Sequence, residues 1–469
     1  MKRNWILAGT TLAVCSPLLA LLLTANMPAA APTQQNAAQQ PKSPPASDGA
    51  AGESPARSPA AFEALLARRD ALLQTAAALE TPEDGVRYNK KLAELDARID
   101  AVGGARYCSA SRFYWYTDLG EAQQAAQASG KPILSLRMMG RLTDEYSCAN
   151  SRFFRTTLYA NEEISQYLRD HFVMHWKSVR PVPKVTIDFG DGRKLERTLT
   201  GNSIHYVLDV DGQPLDALPG VYAPQKFLEE VKRSHDLYQQ VKAAREGQRA
   251  QTSREQLLFL YHLSRGQDTL RQWQKDLQQI EVSEKLALDA PNGAPNVRVE
   301  LRPAAEKATL LAAPKGRVEM PLVREVTMRN PGQLEEQTDE EMWRKIAALH
   351  AGEWKLDDAS VRLIRSENPT AAEAAKLTVT KFLVEDPIVK MIRNLESSIA
   401  LDTVRNEYQL RRQIHEWFTE QLPTDVEKLN DRVYAQLFLT PSSDPWIGLV
   451  PDATYTGLDN AGVVRPDAE

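Results

Sequence analysis

The period of the apolar positions changes several times along this chain, and each change predicts a different element. Between Ala60 and Ala101 apolar residues recur at helical spacing: Phe62, Leu65, Leu66, Leu72 and Leu73, then Leu92, Leu95 and Ile99. The break at Thr81-Pro82-Glu83-Asp84-Gly85 splits this stretch into two antiparallel helices. From Arg106 to about Lys232 shorter apolar runs alternate with helical ones. Phe113-Tyr114-Trp115-Tyr116 reads as a strand, Asp118 caps a helix ending at Gly130, and Lys131 to Met138 is a buried strand. A helix from about Cys148 to Tyr159 follows, then a short one capped by Asn161, and a strand from Phe172 to Val179. Val185 to Leu199 reads as a hairpin turning at Asp191-Gly192. Ile204 to Asp209 and Pro214 to Leu218 are strands joined at Asp211-Gly212, and Pro224 opens a helix through Phe227, Leu228 and Val231.

Beyond that segment the period is mainly helical. A long helical pattern runs from Tyr238 to Ile280, followed by strand-like stretches at 297–301 and 318–320. Helices are then predicted at Met342 to Leu349, Ala371 to Phe382, Ile388 to Ile399 and Leu401 to Phe418. Thr440 to Leu449 is a turn-rich loop before a polar tail. The basic residues between Arg405 and Arg412, interrupted by Glu407, read as solvated helix faces.

The N-terminus departs from this globular pattern. Lys2 and Arg3 precede a nearly uncharged stretch, Trp5 to Leu23, which has the form of an export signal. Ala29-Ala30-Ala31 offers a cleavage site but is followed by Pro32; Leu12-Ala13-Val14-Cys15 approximates a lipoprotein box with an oversized Val14. An uncleaved signal anchor is the alternative, since the stretch approaches the roughly 20 residues that cross a bilayer. From Pro28 to Pro59, Ala, Pro, Gln, Ser and Gly dominate, which predicts a disordered tether. The expected organisation is a signal or anchor at 1–27, a linker at 28–59, a helical hairpin at 60–104 and an α/β domain at 105–235. A helical connector at 236–283, a strand and loop segment at 284–330, and a mainly helical region at 331–469 complete it.

Composition narrows the function classes. The 469 residues carry a net charge of −5 and three cysteines. A concentrated positive surface for nucleic acid is absent from the sequence, and three cysteines are too few for a disulfide scaffold. His171 and His175, four apart on a predicted strand, lack a third ligand, so no metal is expected. One is expected on the sheet surface and one beside Trp176. His415, beside Glu416, Trp417 and Phe418, is expected on a packing face.

Six short registers give the α/β segment a resemblance. They are Trp115 to Asp118, Gly130-Lys131-Pro132-Ile133-Leu134, Cys148 with its following helix, Leu158 to Ile164, His171-Phe172-Val173, and Val207 to Gly212. Together they resemble the thioredoxin-like superfamily. The fold class this implies is an α/β thioredoxin-like domain, a mixed sheet flanked by helices, with the helical hairpin before it and a mainly α region after it. By the resemblance, Cys148 is the candidate catalytic thiol, at a helix start that favours thiolate. Ser151 stands at the resolving-cysteine position, and Ser203 at the cis-proline position that aligns a bound peptide. A lone thiol could form mixed disulfides or a sulfenic acid, and a Cys108–Cys148 bridge is the competing state.

Two functions remain open at this point. One is an exported single-thiol protein of envelope disulfide handling; the other is a non-catalytic thioredoxin-fold scaffold or interaction protein of the cell envelope. Both place the protein outside the cytoplasm, in the periplasm or anchored in the inner membrane. Expected partners are protein thiols or another envelope protein, with the membrane engaged through residues 5–23 if they stay uncleaved, and no cofactor.

Overall fold

The computed structural model describes residues 57–199, 201–247, 253–289, 333–368 and 387–447. The export signal, the tether as far as residue 56, the strand-like stretches at 297–301 and 318–320 and the helix at 371–382 lie outside them. All of the described residues belong to one compact unit. Among the described residues no helix is long and apolar enough to cross a membrane.

Two helices open the described chain, α1 (Pro59–Gln74) and α2 (Pro82–Gly103). Each begins with proline at the first turn, where a missing N–H costs nothing, and each is capped by a hydroxyl: Ser58 accepts from Ala61 N and Thr81 from Asp84 N. Phe62, Leu65, Leu66, Ile99 and Val102 are buried on their facing sides. Arg57 ties the start of α1 to the body by donating to the carbonyls of Val102 and Trp115. After a helical turn, α3 (Cys108–Ser111), the chain reaches α4 (Leu119–Ser129), capped by Asp118 and ended by Gly130 at φ 66°.

The central sheet is mixed. Its order is β2 (Val173–Arg180), β1 (Ile133–Met139), β5 (Ser203–Leu208), β6 (Pro214–Pro219). β1 is parallel to β2 and antiparallel to β5, and β5 is antiparallel to β6. Every residue of β1, β5 and β6 is buried, as expected of strands covered on both faces. The strand expected at Phe113 to Tyr116 contracts to one parallel bridge, Tyr116 to His175, at the outer edge of β2. Its aromatic rings pack as a cluster instead, with Phe113 edge-on to Trp115 and Tyr159. The predicted hairpin forms as a separate two-stranded sheet, β3 (Lys184–Asp188) with β4 (Lys194–Thr198).

The helix expected from Cys148 is shorter and irregular. α5 (Ala149–Phe153) has Cys148 at its N-cap and passes into a π-helical turn, Phe154–Leu158. Asn161 caps α6 (Glu162–His171) by accepting from Ile164 N, so His171 ends a helix while His175 alone lies in β2. The long helical pattern after Tyr238 is two helices, α7 (Pro224–Arg245) and α8 (Arg254–Asp289).

The C-terminal part is helical, as expected. It comprises α9 (Gln333–Gln337), α10 (Glu340–His350), α11 (Asp358–Ser366) and α12 (Pro387–Arg405), which continues through a π turn, Asn406–Arg411, into α13 (Arg412–Glu420). α14 (Val426–Arg432) follows and runs into a second π turn, Val433–Leu437. This region docks on the sheet by specific bonds: Thr403 accepts from Ala223 N, and Asn406 donates to Val221 O at 2.7 Å. Gly220, at φ 77°, makes room for that Asn406 side chain.

Candidate functional site

β1 ends at Met139, and the chain loops back so that Cys148 N donates to the Met139 carbonyl at 3.1 Å. This hangs the thiol at the C-terminal edge of the central strand. Cys148 is nevertheless 0% exposed. Ser151 lies one helical turn on and is also buried; its hydroxyl donates to the Cys148 carbonyl and shares a hydrogen bond with Ser147 Oγ, both at 2.8 Å. Ser203 starts β5 opposite Met138, and Asn150 Nδ2 donates to its hydroxyl at 2.9 Å. The fold therefore brings the three candidate positions to one sheet edge, with both serine hydroxyls bonded internally.

Two guanidinium groups flank the thiol. Arg155 is buried and donates to Leu142 O, Asp144 O and Ser147 Oγ; burial pulls it down to about 10, with Tyr107 the largest opposing influence and Cys148 a smaller one. Burial lowers Arg152 as well, opposed first by Cys148. Its NH2 group reaches Thr198 of the β3–β4 hairpin at 2.9 Å. Burial raises the Tyr159 phenol far above its usual range, and Cys148 adds to this.

Cys108 sits elsewhere, at the start of α3, donating its S–H to Ala105 O while Asp100 accepts from its N–H. Burial, then the Asp100 charge, pushes this thiol well above its ordinary value. Cys108 and Cys148 are both thiols in the structure and no bond joins them.

A segment from the far end of the chain closes over the same sheet edge. Asn202, just before Ser203, donates to Thr440 Oγ1 at 3.0 Å, and its carbonyl accepts from the Tyr434 hydroxyl at 3.2 Å. On the other side of β1, Arg180 pairs with Met139 in register. Its guanidinium donates to the carbonyls of Pro441, Asp444 and Pro445, at 3.3, 2.9 and 3.0 Å.

The most concentrated chemistry lies where β6, α7, α8 and the Asn406–Arg411 turn meet. Arg411, 0% exposed, bonds to Asp216 at 2.8 Å, Glu230 at 2.6 Å and Glu407 at 3.3 Å. Arg265 reaches Glu230 and Glu407, and Lys226 bonds to Glu230 at 2.6 Å. This corrects the solvated face expected between Arg405 and Arg412: Glu407 and Arg411 are both interior. Arg233 at the rim also bonds to Glu230, at 3.0 Å, and is itself paired with Glu229, so the three interior carboxylates face three interior cations and one shared at the edge. Arg411 leads the charges that hold Asp216 and Glu230 well below the ordinary carboxylate range against the opposing effect of burial.

Two histidines adjoin this cage. His262 Nε2 faces the Leu215 carbonyl at 2.9 Å and must carry the hydrogen there, so its Nδ1 accepts from His415 Nδ1 at 2.8 Å. His415 Nε2 is then a bare lone pair with no protein partner among the described residues. Asp216, His262 and His415 bring ligand atoms within 4.8 Å of one another. Their donor types suit zinc, but their surroundings do not. Asp216 Oδ2 already accepts from Ser234, Tyr261 and Arg411, Oδ1 accepts from Ala217 N, and the cage charges are balanced without a further cation. The cluster is structural. One sign of it was present in the sequence: Asp216 interrupts an otherwise apolar strand.

Two further histidines, His175 and His205, are also built into the interior, whereas His171, His235 and His350 are half-buried. His175, expected only to pack near Trp176, has Nδ1 against Ser135 Oγ at 2.8 Å, and Arg137 donates to that hydroxyl while reaching Glu427 at 2.8 Å. His205 Nε2 meets the Tyr159 hydroxyl at 2.6 Å. No protein-family model matches the chain, and no curated protein or solved structure is significantly similar to it.

Proposed function

We propose that this protein is a non-catalytic thioredoxin-like scaffold of the cell envelope, whose α/β unit holds its own C-terminal helical region and presents the composite to an envelope partner. The order Tyr116 bridge, β2, β1, β5, β6, with a parallel inner pair and two antiparallel additions, supports the thioredoxin-like assignment. The observation that carries the scaffold reading is the closure of the peptide-aligning edge. Ser203 is buried, and its neighbour Asn202 bonds Tyr434 and Thr440 of the same chain, where a bound peptide would have to lie. Export is inferred from Lys2, Arg3 and the apolar stretch to Leu23.

The single-thiol reading draws on one specific observation, the pair of guanidinium groups, Arg152 and Arg155, beside Cys148. Incubation of the native full chain with oxidised glutathione, followed by intact-mass measurement, separates the two. The scaffold reading expects no adduct at Cys148 at neutral pH. A stoichiometric adduct forming within minutes would replace it with the single-thiol reading. An export assay with Lys2 and Arg3 replaced by glutamate tests the location, the expected outcome being retention in the cytoplasm.

A further inference from the structure

We propose that Leu439–Ile447 is a releasable strap that masks Cys148, with Arg180 as its clasp. This goes beyond the scaffold reading, because it makes the thiol concealed rather than inert. Three observations carry it. The first is position. The strap is bonded at Arg180 of β2 and, through Thr440, at Asn202 before β5, the two strands on either side of β1. Met139, the β1 residue paired with Arg180, accepts the Cys148 N–H, so the strap spans the edge from which the thiol hangs.

The second observation is how lightly the strap is held. It has neither helix nor strand; Pro441 and Pro445 have no N–H to donate, and one guanidinium takes three of its carbonyls. Loss of one side chain therefore removes three bonds between the strap and β2. The third is backbone strain confined to its two ends. Leu439 and Ile447 both adopt φ 50°, a left-handed conformation that is unfavourable for leucine and more so for a β-branched residue. The buried Ile447 side chain and the Thr440 bond oppose that strain, while the adjoining Trp446 is 41% exposed. A segment strained at both ends and held to the sheet by one guanidinium and one side-chain hydrogen bond is suited to opening without the sheet.

The test is mass-mapped maleimide labelling of the native full chain, with Cys108 as an internal reference for general loosening. Arg180→Ala is expected to raise the Cys148 labelling rate at least tenfold and leave Cys108 unchanged. Arg180→Lys, which keeps the charge and loses the fork, is expected to do the same if the alanine variant fails to fold. Equal acceleration at both cysteines would mean global destabilisation and overturn the proposal, as would no acceleration at either. Thr198→Val removes the bond between Arg152 and the β3–β4 hairpin; if it exposes Cys148 more than Arg180→Ala does, the hairpin is the cover and the strap is not. Hydrogen exchange of the unmodified protein gives an independent check. The strap must exchange faster than Ile133–Met139, and equal protection would refute it.

Discussion

Arg411 illustrates how far the environment of one side chain can depart from its local sequence. A guanidinium fully removed from water is tolerable only with its charge balanced and its donors bonded, and Asp216, Glu230 and Glu407 do both. Asp216→Asn keeps the shape of the carboxylate while removing its charge. It is expected to lower unfolding stability by about 3–5 kcal/mol, the range for breaking a buried pair, measured by denaturant titration. A loss below about 1 kcal/mol would mean that Arg411 is solvated. Nothing in the spacing of Glu407 and Arg411 distinguishes this pair from an exposed i, i+4 pair. Their burial depends on β6 and α7, which lie 177 and more residues earlier in the chain, so no local reading could place them.

At the scale of elements, what could be read from the sequence is what is encoded locally. Asp118, Asn161 and Pro224 mark helix starts because a cap needs only the next turn, and all three helices begin where those residues predict. The β3–β4 hairpin and the β5–β6 turn are likewise written in Asp-Gly pairs. The Phe113–Tyr116 strand is not, because strand formation needs a partner and only Tyr116 reaches β2. At the candidate site, the positions of Cys148, Ser151 and Ser203 were legible, while the strap was not, since its bonds join residues more than 200 positions apart. Gly220 tests the docking of the C-terminal helices on this framework. A methyl group there would meet the Asn406 side chain and strain a φ of 77°, so Gly220→Ala is expected to cost about 1–3 kcal/mol. Restoration of the wild-type melting temperature by Asn406→Ala alone in that background would attribute the whole cost to the steric clash and none to the backbone.

For the whole molecule, buried histidines set the response to acid. Burial holds His175 and His205 at about 3 and His262 at about 4, and pushes His415 well below 6.5. A histidine depressed in the folded state takes up its proton more readily when unfolded. Stability is therefore full above about 6.5 and falls as pH drops towards 4, by about 1.4 kcal/mol per unit for each such group. Asp100 and Asp209 oppose this: burial raises both, Asp100 to about 6, so their contribution grows as pH falls towards 4. Four histidines outweigh two aspartates, and urea midpoints are expected to drop steadily from pH 7 to pH 4.5. A flat profile would mean that these imidazoles are solvated.

The Arg411 cage also has a consequence in time. Asp216 and Arg411 are 195 residues apart, and synthesis proceeds at about 5–20 residues per second, so this carboxylate waits roughly 10 to 40 seconds for Arg411. During that interval an ionised Asp216 is more stable in water than inside the sheet–helix interface. The face of β6 that meets the helices is thereby kept from closing until Arg411, in the last third of the chain, has been made.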